Sequence, residues 1–263
     1  MRLYYEIAIR SFRRATTYRS AYIAGVLTNA FFGALRSFMY IGIYGAGGAV
    51  AGFTLQDAIS YTWVTQSLIS VGAGWLVSRD LMNTIRSGDV ITDLSRPWSF
   101  YGYWLSQSLG ERGFNLLLRG SLTYLIGVLY FGAHVPSPGE ALAFAAAIGL
   151  ALLLSFAFSF IVNLSAFWLL DNSGITMIAN IMLSFFSGFL LPIAFFPPAL
   201  AAVARALPFQ AITGLPAQIF LGQIAGAGVA GALLIQLGWT AALVAAGLLM
   251  LRAAVRKVVI QGG

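Results

Sequence analysis

Residues 141–167 read ALAFAAAIGLALLLSFAFSFIVNLSAF, a run without one charged side chain. A helix needs about 20 apolar residues to cross the ~30 Å hydrocarbon layer of a bilayer, so this stretch is long enough to span one. Five further stretches share its character. The six centre near Phe31, Gln66, Thr123, Leu154, Leu183 and Val244. They predict spans over residues 21–44, 55–78, 105–131, 141–167, 174–191 and 228–251, in one transmembrane domain covering 1–263.

Composition agrees with that reading. Of 263 residues only 15 are Lys or Arg and 8 are Asp or Glu, 9% charged against roughly 25% in a soluble domain. Hydrophobic residues make up 59% before the 29 glycines are counted. A water-exposed surface cannot be built from the remainder, and disorder requires the opposite balance. The net charge of +7 does not indicate nucleic acid, because a basic face needs a folded, solvated domain to carry it. Cysteine is absent, which excludes disulfides and thiolate metal sites.

The charges are unevenly placed. Arg2, Arg10, Arg13, Arg14 and Arg19 alternate with Leu3, Tyr4, Ile7 and Phe12, the pattern of an amphipathic helix lying in the membrane interface. With the N-terminus in the cytoplasm, these five join Arg79, Arg86, Arg96, Arg112 and Arg119 and the terminal Arg252, Arg256 and Lys257 on the inner side. Thirteen of the fifteen cations then obey the positive-inside rule. Arg205 lies outside and Arg36 within the first span, where it suits outward snorkelling, a partner subunit or a substrate headgroup.

Catalytic patterns are missing. The single lysine, Lys257, stands in no GxxxxGK[ST] phosphate loop, so the chain binds no nucleotide by that route. His134, the one histidine, has no second His or Cys to complete a metal site and reads as a solvated turn residue. HExxH and GxSxG motifs are likewise missing. Polar residues do recur in helical register: Thr62, Gln66 and Ser70; Ser155, Ser159 and Asn163; Thr176, Asn180, Ser184 and Ser187. Each set shares one face, as glue between helices or as a polar path. Glu111 and Arg112 adjoin early in the third span and suggest an ion pair on the cytoplasmic side.

Two connecting segments carry more information. Residues 79–97 include Ile85, Arg86, Ser87, Gly88, Asp89, Val90, Ile91, Asp93 and Leu94, followed by Arg96-Pro97. Gly88 suits a left-handed helix end, Asp89 the cap of a second short helix, and Pro97 its limit. Val90, Ile91 and Leu94 are then free to face a protein surface; the plainer alternative is an interfacial loop. Residues 192–226 are too apolar for a free loop. Pro192, Pro197, Pro198 and Pro208 punctuate them, Pro198 starting and Pro208 stopping a short helix.

The Ile85, Gly88, Asp89, Leu94, Arg96, Pro97 pattern resembles the permease subunits of ABC-2 type ATP-binding cassette exporters. So does the proline series before the last span, and the tail Val258 to Gly263 is similar to that of a six-span group within the family. The resemblance implies an all-α polytopic fold of six transmembrane helices. It adds an N-terminal elbow helix (1–20), a coupling helix in 79–97, short outer-face helices in 192–226 and a cytoplasmic tail (252–263). It further implies that ATP and Mg are bound by a separate ATPase subunit present in two copies, not by this chain. A second, paired non-identical permease is implied too, with spans one, two and five near the interface. The place is the bacterial cytoplasmic (inner) membrane, with both termini in the cytoplasm. A secondary transporter and a non-transport membrane assembly subunit are the alternatives. The first would need acids within its spans, and Asp57, Glu140 and Asp171 all fall near their ends.

Overall fold

In the computed structural model, residues 2–17, 19–45, 49–72, 78–169 and 172–261 are described, with the side chains of all but 19, 79 and 257–261. Asp171, Gly262 and Gly263 lie outside that description, as do the side chains of Lys257 and of the tail residues Val258 to Gln261. Among the described residues the chain is helical and has no strand.

Helix α1 (Arg2–Thr16) precedes α2 (Arg19–Tyr44). A box in which Thr54 and Asp57 each accept from the other's backbone starts α3 (Leu55–Ser67). Ser78 caps α4 (Arg79–Ser87), which leads into α5 (Val90–Ser95). Helix α6 (Phe100–Phe114) runs through a π-helical turn (Asn115–Gly120) into α7 (Ser121–Phe131). Ser137 and Glu140 form a second box, with Pro138 in the first turn, at the start of α8 (Pro138–Leu164). Then follow α9 (Ser173–Phe186), α10 (Pro198–Ala206), α11 (Gly214–Phe220) and α12 (Ala227–Gln261).

Among the described residues four helices are long and apolar enough to cross a membrane: Ser20–Tyr44, Phe100–Phe131, Pro138–Phe167 and Ala227–Arg256. The other two expected stretches form shorter helices. Helix α3 has 13 residues, about 20 Å at 1.5 Å per residue. It is rich in hydroxyl and amide side chains, and all of Ala58 to Ser67 is buried. Its polar groups bond within the protein: Thr62 Oγ1 donates to the Ala58 carbonyl and Ser67 Oγ to that of Trp63. Helix α9 has 14 residues and is followed by Gly188, which adopts a φ of 82°.

Packing explains why α3 can be so polar. The Trp63 indole is fully buried between Gly33 of α2 and Gly127 of α7, where a Cβ at either glycine would strike the ring. Its Nε1 donates to Ser37 Oγ at 3.1 Å. The main core is formed by α3, α8, α9, α11 and α12 and the segment just before α11, with Leu154, Leu183, Ile212 and Ile219 fully buried in it. A second core joins α4 and α5 to the start of α6, the end of α8 and the last turns of α12, through Leu81, Ile85, Trp104, Phe160 and Leu251. Helices α1, α4 and α5 therefore gather at one end. At the other lies α10, packed under the segment from Ile193 to Phe196.

Helix α1 does not stand alone. It follows α6 in the same direction: Tyr4 hydroxyl accepts from the Ser99 N–H at 3.0 Å, Ser11 Oγ donates to the Gln107 carbonyl at 2.8 Å, and Phe12 meets Phe114 edge-on at 5.4 Å. Helix α2 continues along the same partner, Tyr22 beside Phe114 and Phe38 beside Phe131.

Candidate functional site

The α4–α5 turn is made by local chemistry. Gly88 takes a φ of 85° and ends α4, its N–H bonding the Ile85 carbonyl at 3.3 Å. Asp89 occupies the N-cap position of α5 but makes no side-chain cap there, contrary to the sequence expectation. Its carboxylate accepts from Ser87 Oγ at 2.6 Å instead, a closer donor across the turn.

One side of this turn is anchored and the other open. Leu81, Ile85 and Val90 are buried, and Leu94 packs against the same core. Val90 and Leu94 therefore face inward, and of the three apolar residues expected to face a partner only Ile91 is exposed, at 54%. Around it Arg86, Ser87, Gly88, Asp89, Thr92, Ser95 and Arg96 are exposed, with Asp93 half-buried. Arg96 sits over the Trp98 ring, 5.0 Å from its centroid, and within 3.9 Å of Asp93. The open side is thus a polar rim around one exposed isoleucine.

Two polar links tie the turn to the rest. Arg86 Nη2 donates to Asn172 Oδ1 at 3.0 Å, and the buried Asn172 donates to Ser165 Oγ at 3.3 Å, joining α4 to the loop that enters α9. On its other side Asp80 Oδ2 accepts from Arg14 at 2.7 Å and from Gln107 Nε2 at 3.2 Å, joining α4 to α1 and α6. Neither Asn172 nor the Arg14–Asp80 pair was singled out in the sequence, because both rest on contacts between distant segments.

Behind the turn lies a belt of buried polar residues. Arg112 is 4% exposed, and its Nη1 donates to Ser155 Oγ at 2.6 Å and to the Val71 carbonyl at 3.4 Å. Ser155 Oγ bonds the same carbonyl. Seven residues on, Arg119 Nη2 donates to Asn29 Oδ1 at 2.9 Å, and Asn29 Nδ2 to the Gln66 carbonyl at 3.3 Å. Both cations sit within the long helix Phe100–Phe131, inside the span expected over 105–131. Their rarity inside an apolar helix was the available signal. Gln236, fully buried in α12, bonds the Ala147 and Ala211 carbonyls at 3.0 and 2.8 Å and was equally open to notice.

The candidate path residues divide. Thr62, Gln66 and Ser70 are buried, as are Ser155, Ser159 and Asn163, whose Nδ2 bonds the Ser159 carbonyl. On α9, Asn180 and Ser184 are half-buried and Ser187 is buried; Asn180 Nδ2 bonds the Thr176 carbonyl at 3.0 Å. Arg36 is half-buried, its Nη1 donating to the Phe189 carbonyl at 3.1 Å and its guanidinium 5.1 Å from the Phe189 ring. Of the three roles open to it in the sequence, none matches this one, an internal clasp on the segment after α9. His134 is also engaged: its Nε2 lies 3.2 Å from Glu140 Oε2, its N–H bonds Ser60 Oγ and its carbonyl accepts from Tyr124.

In the segment after α9, Pro192 and Pro208 are buried. Pro197 is the N-cap residue of α10 and Pro198 its first residue, and α10 ends at Ala206, two residues before Pro208. The sequence model for ABC-2 family transporter proteins matches residues 31–262. The chain belongs to the ABC-2 transporter family. No curated protein and no solved structure matches. ABC-2 permeases are membrane components without an ATPase of their own, so membership implies an ATPase partner, a permease role and a multi-pass membrane protein.

Proposed function

We propose that this ABC-2 chain is one permease half of an ATP-binding cassette exporter. Two copies of a separate ATPase subunit bind ATP and Mg and drive it, and the second permease is a paired, non-identical one. Helices α3 and α9 complete six passes, α3 inside a sheath of protein and α9 shortened before Gly188. The complex sits in the bacterial inner membrane with both termini in the cytoplasm, so that α1, α4 and α5 meet the ATPases as elbow and coupling helices. The cation distribution supports this orientation even with Arg112 and Arg119 set aside.

The observation that carries the reading is the two-sidedness of the α4–α5 turn: a polar rim around exposed Ile91, and an inner face fixed to the ends of α6, α8 and α12. A push on such an element moves three long helices rather than a loop. Helices α2 and α9 carry exposed apolar faces, including Leu27, Phe31, Phe38, Met177 and Ile178, and these suit the second permease and lipid. The enclosed α3 does not, so the polar face of α9, with Asn180 and Ser184, is the stronger claimant to a path.

The test uses the complex reconstituted in vesicles with its ATPase. Gly88→Trp and Asp89→Arg are expected to leave ATP hydrolysis measurable while transport falls away. Transport unchanged in both variants refutes the coupling role, and failure to isolate any complex with a phosphate-loop chain refutes the ATPase partnership.

A further inference from the structure

A cleft of about 430 Å³ lies between α1, the start of α6 and α4, within the range of ligand pockets. Its α1 wall is made by Leu3, Ile7, Arg10 and Arg14, and its opposite wall by Trp98, Tyr103, Trp104, Gln107 and Asp80. The chemistry is graded: aliphatic side chains and aromatic rings on one hand, two guanidinium groups on the other. Arg14 and Gln107 already share Asp80 Oδ2. Arg10 has no hydrogen bond or ion pair among the described residues, and the buried Trp104 Nε1, on the same cleft, has no acceptor. Two positive charges against one leave the lining with a single positive charge.

The position in the membrane follows from length. The helix Phe100–Phe131 has 32 residues, about 48 Å, some 18 Å more than the hydrocarbon requires. Its first turns, with Tyr101, Tyr103 and Trp104, and Trp98 just before them, have the aromatic content of a headgroup belt.

We infer that this cleft binds the headgroup of an anionic phospholipid, with its phosphate on Arg10. A phosphodiester brings the one negative charge the lining lacks. The bound lipid would brace α1 against α6 beside the Arg14–Asp80 link, and so stiffen the frame that holds the α4–α5 turn. The inference rests on the interfacial placement of α1 but not on coupling to an ATPase.

The full chain in nanodiscs of phosphatidylcholine with graded phosphatidylglycerol tests it, lipid retention being read by native mass spectrometry after release. One phosphatidylglycerol is expected to stay bound, and Arg10→Gln to weaken it about tenfold, the loss of one charge-assisted hydrogen bond. Arg13→Gln, which removes the same charge outside the cleft, is expected to change nothing. Equal loss in both variants means diffuse attraction to a basic helix and overturns the site. Displacement by millimolar inorganic phosphate overturns the lipid in favour of a free anion. Loss of a co-purified ATPase from Arg10→Gln with lipid retention unchanged overturns it in favour of a protein contact.

Discussion

Replacing Gly110 by alanine adds a single methyl group, and the structure says where it goes. The Cβ would overlap the Ala8 carbonyl and the Ser11 Cβ of α1, and a backbone atom cannot swing aside as a flexible side chain can. To relieve the overlap, α1 must lift from α6. That motion breaks the Ser11–Gln107 and Tyr4–Ser99 hydrogen bonds and the Phe12–Phe114 ring contact. At about 1 kcal/mol for each hydrogen bond and a similar amount for the aromatic pair, about 3 kcal/mol of docking is at stake. This is on the order of a hundredfold in the docked-to-free ratio. Trypsin reads the change, because Arg10 and Arg13 become cleavable when α1 is free; Gly110→Ala is expected to be cut there tens of times faster than the wild type. Gly113→Ala is the control, since a Cβ at Gly113 meets nothing within 4 Å and gains the same helix propensity. Equal cleavage of the two variants, or no acceleration in Gly110→Ala, refutes the close packing of α1 on α6.

Gly127→Ala forces the Trp63 ring aside and is expected to cost about 1–3 kcal/mol, a fall of several degrees in Tm; Gly149→Ala, in open space, should not lower Tm. Arg36→Met removes the clasp on the Phe189 carbonyl, so amide hydrogen exchange at 187–191 should accelerate while exchange at 214–220 does not. Gln236→Leu removes the side-chain donor that links the Ala147 and Ala211 carbonyls and is expected to destabilise the α8–α12 contact by about 1–3 kcal/mol, measured by unfolding in detergent with Gln210→Leu as reference.

How far the sequence could be read depended on where each signal lies. Helices α2, α8 and α12 and the long helix Phe100–Phe131 were legible because span length is a local property, written in 20 or more neighbouring residues. The capping box at Ser137 and Glu140 and the left-handed Gly88 were local too. The early end of α3 was not, because the carbonyl left at Val71 takes its donor from Arg112, 41 positions away. The same holds for the inner face of α5: Val90 and Leu94 pack on residues from α6, α8 and α12, and no pattern within six residues reveals that. Arg112 and Arg119 fall inside the third expected span, but their partners were not legible, because Val71, Ser155 and Asn29 stand 41, 43 and 90 positions away, and the π-helical turn that contains Arg119 breaks the simple helical register.

The enclosure of α3 also bears on how the chain is made. A segment that carries Thr62, Thr65, Gln66 and Ser67 gains little by entering lipid unaided, and the glycines that seat Trp63 stand 30 residues before it and 64 after. On the six-pass topology proposed above, the seat of α3 closes only once α7 has been made, so the order of synthesis leaves this polar helix without its partner until the third pass is in place.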